Sequence, residues 1–279
     1  MTETIFLATP NKDTAAKDTA AMYPEYGAWY NATRPILEQH CKVVALDLPD
    51  IWVRDFLPMQ NAETGKLYQL FYNPIYRTKT YAKHYEKIRI RVRELFPNAE
   101  PLDIRMDGGN LITNGKDIGL AFWNDAIGES EDSVAEILKS ALGLSRFYWL
   151  PKLPTRHDPF CHIDGFAGFV GDNTVLTSYS ASNFFGRMKQ CYMLDRYGLN
   201  VVRMAEHYES DNPLSAKGMY ANFLETSSAI FVPQYNIPDD GTAIATLCEH
   251  TKKKIIGIDC EAISKHGGSL HCLTKELMM

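Results

Sequence analysis

The stretch Ser133-Val134-Ala135-Glu136-Ile137-Leu138-Lys139-Ser140-Ala141-Leu142-Gly143, followed by Phe147-Tyr148-Trp149-Leu150, carries the reading of the fold. Ser133 and Glu136 form a capping-box pattern, which satisfies two orphan N–H groups at a helix start. Val134, Ile137, Leu138, Ala141 and Leu142 recur on one helical face. Gly143 supplies a left-handed stop, and the aromatic run beyond it has strand character. The segment is an amphipathic helix that leads straight into a strand.

The same pattern recurs four more times. Helical patterns lie within Asp18 to His40 (interrupted by Pro24 and Pro35), Thr80 to Phe96, Ser182 to Tyr197, and Asp240 to Thr251. They lead into Val43 to Leu46, Leu102 to Ile104, Val201-Val202, and Ile255 to Ile258. The strands that follow helices start 45 to 59 residues apart. Further strand-like runs, among them Leu67 to Tyr72, Phe166 to Val170, Thr174 to Ser178 and Ala229 to Pro233, fall between each such strand and the next helix. The unit reads as ββαβ, repeated about five times, and such a unit buries its apolar face only against its neighbours. An open α/β sheet alternates in the same way, and periodicity by itself does not separate the two.

The 279 residues contain no linker tract, so five units account for the chain as one domain, residues 1–279. An apolar fraction of 45% and a charged fraction of 23% exclude disorder, collagen-like repeats and coiled coil as the main state. With a net charge of −5 and only Lys252-Lys253-Lys254 as a basic run, no nucleic-acid partner is indicated. No apolar stretch is long enough for a bilayer, so no membrane partner is expected. The brief patch Ile5 to Ala8 lacks the layout of a signal peptide, which makes a cytoplasmic address the expectation. Six scattered cysteines without a CxxC pair argue against a disulfide framework or zinc ribbon. Most are expected to be buried reduced thiols.

Polar or glycine-rich punctuation follows each post-helix strand. It runs Asp50-Ile51-Trp52-Val53-Arg54-Asp55, Asp107-Gly108-Gly109-Asn110, Cys161-His162-Ile163-Asp164-Gly165, Tyr220-Ala221-Asn222-Phe223, and His266-Gly267-Gly268-Ser269-Leu270-His271-Cys272-Leu273-Thr274. Units arranged radially would bring these five stretches to one centre. Each has a plain structural reading as well. Gly108-Gly109 alone reads as a tight turn, Arg54-Asp55 as a surface ion pair, and Trp52 as a core residue. His162 and Asp164, two apart, would share a face of a strand. Cys272 has glycines upstream and His271 beside it, which suggests a thiol that a ligand can approach. His162, Asp164 and Cys272 hold zinc-ligand chemistry, but no second His/Cys pair stands at ligand spacing, so no metal and no cofactor are expected.

The ordered set resembles the agmatine deiminase and bacterial-type peptidyl-arginine deiminase family of the guanidino-group-modifying pentein superfamily. The resemblance runs from about Asp50 to the C-terminus. Asp50 to Pro58 matches D-x-W-x-R-D-x-G-P, Asp107 to Gly109 matches E-G-G, and His162 to Asp164 matches H-x-D. Tyr220 to Phe223 matches Y-x-N-F, and His266 to Thr274 matches G-G-G-x-x-H-C-x-T. Three positions depart from the pattern: Asp107 stands for Glu, Leu57 for Gly, and His266 for the first terminal Gly.

The resemblance implies an α/β fold, the pentein five-bladed α/β propeller, with five ββαβ units around a central pore. It implies Cys272 as nucleophile, His162 as proton donor and later base, and Asp107 as the carboxylate that holds His162 cationic. Asp55 and Asp164 would grip a guanidinium, a planar cation that matches carboxylates. Trp52, Arg54 and Asn222 complete the expected substrate-binding set. A soft thiolate divides one hard substitution into two, and it needs a depressed pKa from a nearby imidazolium or from the cationic substrate. The implied partner is a small guanidino substrate: agmatine, arginine or an arginyl peptide. A homo-oligomer is left open. Competing readings are amidino transfer through the same cysteine, a non-catalytic guanidino-binding pentein, and a cysteine hydrolase of esters or amides. The last fits poorly, because carboxylates repel a developing oxyanion.

Overall fold

Ser130, three residues before the expected cap, starts the helix that decides the repeat: its side chain accepts a hydrogen bond from the Ser133 N–H at 3.2 Å. Glu131 and Asp132 then fall in the first turn, where the helix dipole favours negative charge. Gly143 closes the helix with φ +73°, as its position suggests. The buried face is Val134, Ala135, Leu138, Ala141 and Leu142, while Ile137 points to solvent. The computed structural model describes all residues except 1, 11–21, 75–80, 155–157, 179–182, 206–211 and 213. The expected helix starts at Asp18, Thr80 and Ser182 lie outside the described residues.

Among the described residues there are five long helices: α1 (Tyr26–Glu38), α2 (Ala82–Leu95), α3 (Glu131–Leu142), α4 (Phe184–Arg196) and α5 (Asp239–His250). Each runs into a strand: β2 (Lys42–Leu46), β5 (Glu100–Pro101), β8 (Arg146–Pro151), β11 (Asn200–Arg203) and β14 (Lys254–Asp259). The strand before each helix is β1 (Glu3–Ala8), β4 (Leu67–Gln69), β7 (Ile118–Trp123), β10 (Thr174–Thr177) or β13 (Ala229–Gln234). It pairs in parallel with the strand after the helix, as in Ile118↔Arg146 through Trp123↔Pro151. On its other edge it pairs antiparallel with β15 (Lys275–Met278), β3 (Met59–Gln60), β6 (Ile112–Thr113), β9 (Ala167–Val170) or β12 (Leu224–Glu225) respectively. The result is five separate three-stranded sheets, each a ββαβ unit. An open sheet is excluded, because the five do not join into one ladder.

Two differences from the sequence reading have physical causes. The strand expected at Leu102 to Ile104 forms its regular pairs at Glu100–Pro101, because beyond Leu102 the register slips and Phe71 N–H bonds Ile104 O in place of Leu102 O. The chain nevertheless stays bonded beyond it, Leu102 N–H to Gln69 O at 2.8 Å and Phe71 N–H to Ile104 O at 2.9 Å. More important, Ile5 to Ala8 is part of a buried central strand, β1, whose antiparallel partner β15 comes from the other end of the chain. This shared sheet closes the ring. Among the described residues no helix is long and apolar enough to cross a membrane. All six cysteines are free, but only Cys161, Cys260 and Cys272 are buried, and Cys248 is exposed.

One residue of the closing strand is out of keeping with its surroundings. Lys275 is 2% exposed and its Nζ lies 3.1 Å from Met59 Sδ, with no salt bridge among the described residues. Burial, with the Arg54 cation adding to it, pushes its amine down to about 7. An unfolded lysine titrates near 10.4, so between about pH 7 and 10 the unfolded chain binds more protons and stability rises with pH. Thermal melts at pH 7, 8 and 9 should therefore climb more steeply for the wild type than for Lys275→Met. Parallel pH dependences would refute a neutral buried amine.

Candidate active site

The five punctuated stretches become short turns at the inner ends of the sheets. Asp55 sits on the single helical turn Val53–Phe56, and Asp107 precedes a 3-10 turn over Gly108–Asn110. His162 precedes a second such turn, Ile163–Gly165, which carries Asp164. Asn222 and Cys272 come from irregular turns before β12 and β15. His162 and Asp164 are thus presented by a turn, not by the strand face that their spacing suggests. Glycine makes the close approach possible. A Cβ added at Gly109 would lie 2.7 Å from Asp55 Oδ1 and 2.8 Å from His162 Nδ1, and one at Gly108 would collide with the Arg54 carbonyl. Only a missing side chain lets three turns meet there.

The centre is a buried constellation of one thiol, two imidazoles and three carboxylates. His162 Nε2 is 3.1 Å from Asp107 Oδ2, and its Nδ1 is 3.6 Å from Asp55 Oδ1. The shorter Asp107 therefore still reaches the imidazole. Cys272 Sγ lies 3.5 Å from Asp164 Oδ2 and 3.2 Å from Asn222 Nδ2. Asp164 Oδ2 also accepts from His271 Nδ1 at 2.8 Å. Asn222 is tied further: its Nδ2 donates to Asp164 O at 3.1 Å, and its Oδ1 accepts the His271 N–H at 3.0 Å. Two carboxylate oxygens, Asp55 Oδ1 and Asp164 Oδ1, are buried with no hydrogen-bond partner among the described residues. A cavity of about 70 Å³ opens onto Cys272, His162, Asp164, Asn222, Phe160 and Met219.

Charge in this space is unbalanced toward the negative. Burial opposes protonation of His162, but Asp55 and Asp107 outweigh it and raise the imidazole to about 10, so it is a cation at neutral pH. Burial pushes Asp55 up to about 7, with Asp107 and Asp164 adding to the rise and the His162 cation opposing it. Burial also works against Asp164, yet His271 and the His162 and Arg54 cations hold its carboxyl below the ordinary range. Burial and the carboxylates of Asp164 and Asp55 drive the Cys272 thiol well above its ordinary value. In the protein alone the surroundings therefore do the reverse of depressing the thiol pKa, and the His162 cation does not offset them. Among the described residues no group of three or more His, Cys, Asp or Glu is placed to hold a metal.

Several expected site residues turn out to do other work. Trp52 does not line the cavity: its ring lies against Gly268, where a Cβ would strike it, and its Nε1–H donates to Tyr23 at 2.9 Å. Arg54 is buried rather than a surface residue. Its guanidinium forks onto both oxygens of Glu276, and its Nε donates to His271 O at 3.2 Å. Asn222 faces the thiol as described. His266 turns away from the centre, pairs with Glu25 at 2.9 Å and stands edge-on to Tyr23. Leu57 has φ −76°, so its position makes no demand for glycine. Asp50 caps the Ile51 N–H at 2.7 Å and pairs with His84 at 3.0 Å. His271 and Glu276 were not legible as site residues. Adjacency to Cys272 gives no sign that the His271 ring turns to Asp164, and Glu276 reads as an ordinary strand residue.

Residues 3–277 match the sequence profile of the Porphyromonas-type peptidyl-arginine deiminase family. The agmatine deiminase of Pseudomonas putida is 20% identical over 90% of this chain and 80% of its own length. A putative agmatine deiminase of Latilactobacillus sakei is 22% identical over 89% and 80%. The solved agmatine deiminase of C. jejuni superposes with a TM-score of 0.78 at 20% identity, over 100% of this chain and 94% of that one. The putative arginine deiminase of Porphyromonas gingivalis gives 0.70 at 21%, over 99% and 95%. At such identities the likeness is one of fold, the five-bladed pentein propeller. The profile spans nearly every residue, from β1 to β15, and on that match the chain belongs to the Porphyromonas-type peptidyl-arginine deiminase family.

Proposed function

We propose that the protein is a hydrolase that deiminates a guanidino compound and releases ammonia through a thiouronium on Cys272. The observation that carries this is a pair of buried carboxylate oxygens, Asp55 Oδ1 and Asp164 Oδ1, that lack a hydrogen bond among the described residues and sit in the same centre as a thiol; Asp55 Oδ1 has only the longer 3.6 Å contact to His162. A buried anionic acceptor without a donor is costly, and a guanidinium supplies both the charge and the planar N–H donors. The names of the family and of the matched relatives support the same substrate class. Agmatine is the leading candidate, with free or peptidyl arginine behind it.

The chemistry follows from the charges. Entry of a guanidinium offsets Asp55 and Asp164, removes the main electrostatic penalty on the Cys272 thiolate, and lets the thiol proton leave to solvent. Sγ then attacks the guanidinium carbon. The His162 imidazolium, cationic because Asp107 and Asp55 hold it so, gives a proton to the departing nitrogen, which leaves as ammonia. A water takes the place of the ammonia. Neutral His162 accepts one of its protons as the oxygen adds to the carbon; the other is lost to solvent as the C–S bond breaks to give the ureido product and free thiolate.

Ammonia release should be seen with at least one of agmatine, arginine, methylated arginines or arginyl peptides. It should fall at least about a thousandfold in Cys272→Ala. If no guanidino compound is bound or turned over, the proposal fails. Chloroacetamidine, a cation, should alkylate Cys272 much faster than chloroacetamide, its neutral analogue of similar size; equal rates would contradict activation of the thiol by bound charge. His162 must be protonated to release ammonia, so the basic limb of kcat/KM against pH should reflect its raised pKa. Asp107→Asn removes one cause of that rise and should move the limb down by about one unit or more. An unmoved limb would remove Asp107 from the mechanism.

A further inference from the structure

His271 has no step in the reaction above, yet it is built into the centre from three sides. Its Nδ1 is 2.8 Å from Asp164 Oδ2, its backbone N–H donates to Asn222 Oδ1 at 3.0 Å, and its carbonyl accepts from Arg54 Nε at 3.2 Å. The ring also lines a second cavity, of about 720 Å³, together with Arg54, Glu276 and Asp164. Asp164 borders this cavity and the smaller one at Cys272 alike, so the His271–Asp164 contact forms part of the wall between them. An ionised carboxylate only accepts hydrogen bonds, so at 2.8 Å the proton must sit on Nδ1. The second ring nitrogen then carries the lone pair.

We propose that His271 is a positioning residue for Asp164: its Nδ1–H fixes Oδ2 and so leaves Oδ1 for a guanidinium. This rests on the guanidino reading for its catalytic consequence. The contact with Oδ2 selects one carboxylate rotamer, which sets where the remaining oxygen stands. It also supports the ionised form of Asp164 without adding a competing positive charge. Burial and the Arg54 cation keep the His271 imidazole below its ordinary pKa, and so neutral. A permanent cation at that place would compete with the substrate for the same carboxylate. The groups that face Asp164 are His271 and Cys272 from the terminal turn, His162 from its own turn, and Arg54 from the turn after β2. Asp55, from that same turn, and Asp164 both act on the Cys272 thiol. Arg54 and Glu276 complete the charges around His271. Of these, only His271 donates a hydrogen bond to an Asp164 carboxylate oxygen through nitrogen among the described residues.

The test separates this role from simple packing. In protein labelled with 13C-aspartate, with Asp164→Asn used for assignment, the Asp164 carboxyl should titrate below the ordinary range. It should move up by about one unit or more in His271→Ala, and stay near the wild-type value in His271→Asn, whose amide N–H replaces the donor. In steady-state kinetics on a turned-over guanidino compound, His271→Ala should raise KM by about tenfold or more and lower kcat/KM in proportion, because Asp164 acts in binding. His271→Asn should recover both. Unchanged Asp164 titration in His271→Ala overturns the inference, as does equal impairment of the two variants. The carboxyl titration needs no turnover. A wild type inactive on every guanidino compound would sink the functional reading, while the titration would still decide the hydrogen-bond role.

Discussion

One buried arginine holds the two halves of the reacting centre to each other. Arg54 lies next to Asp55 on the turn after the first unit, and its guanidinium forks onto Glu276 of the closing strand. Its Nε reaches the His271 carbonyl, and its backbone N–H donates to the Cys272 carbonyl at 3.2 Å. Glu276 is held down at about 2, with the Arg54 cation outweighing burial. Desolvation of Arg54 consumes much of the attraction; removing Glu276 leaves that guanidinium, 3% exposed, as an isolated buried charge, whereas Glu276 at 37% exposure keeps part of its hydration. The pair thus adds little to net stability and much to registration: the thiol turn cannot shift against the Asp55 turn without breaking it.

The centre that this clamp registers is poor in cations. Three carboxylates surround one imidazolium, and two oxygens have no donor among the described residues. Such an arrangement is unfavourable by itself and is offset by the packing of five rigid units around it. It also explains why the thiol sits high in the protein alone. In the proposed reaction, reactivity is conditional on the arrival of positive charge, which would protect a buried cysteine from neutral electrophiles.

Local signals were readable where the physics is local. The helices after β4, β7 and β13 follow from apolar spacing, whereas the one after β10 buries Arg187 and Gln190 beside Leu194; Gly143 and Gly198 stop theirs with left-handed φ values of +73° and +80°. The convergence of Asp55, Asp107, His162, Asp164 and Cys272 was legible because glycines and short polar residues recur at one place in every unit. What escaped was set by contacts across the chain. β1 and β15 are short, and their pairing, Glu3↔Met278 to Phe6↔Lys275, is about as distant in sequence as the chain permits. A spacing of two at His162 and Asp164 suggested a strand, but a 3-10 turn also brings such residues to one centre. Trp52 and Arg54 sit in a motif that signals function, and they serve it by packing on Gly268 and by clamping Glu276. Spacing does not reveal which side of a turn a residue faces.

The sheet made by the two chain ends has a consequence for how the protein is made. Synthesis proceeds from the N-terminus at roughly 5–20 residues per second, and units tend to fold as they emerge. β1 is made before the strands of the other four units, yet the antiparallel edge it offers, with Ile5 and Leu7 fully buried in the finished protein, is covered by residues 275–278. Until those residues leave the ribosome, a growing chain carries an apolar strand with an unpaired edge, the kind that invites wrong partners. Cys272 emerges just before β15, so its thiol enters a scaffold whose other four units can already be in place. Ring closure and completion of the reacting centre are therefore a single late event, and this long-range pairing is expected to be the slow, chaperone-sensitive step of folding.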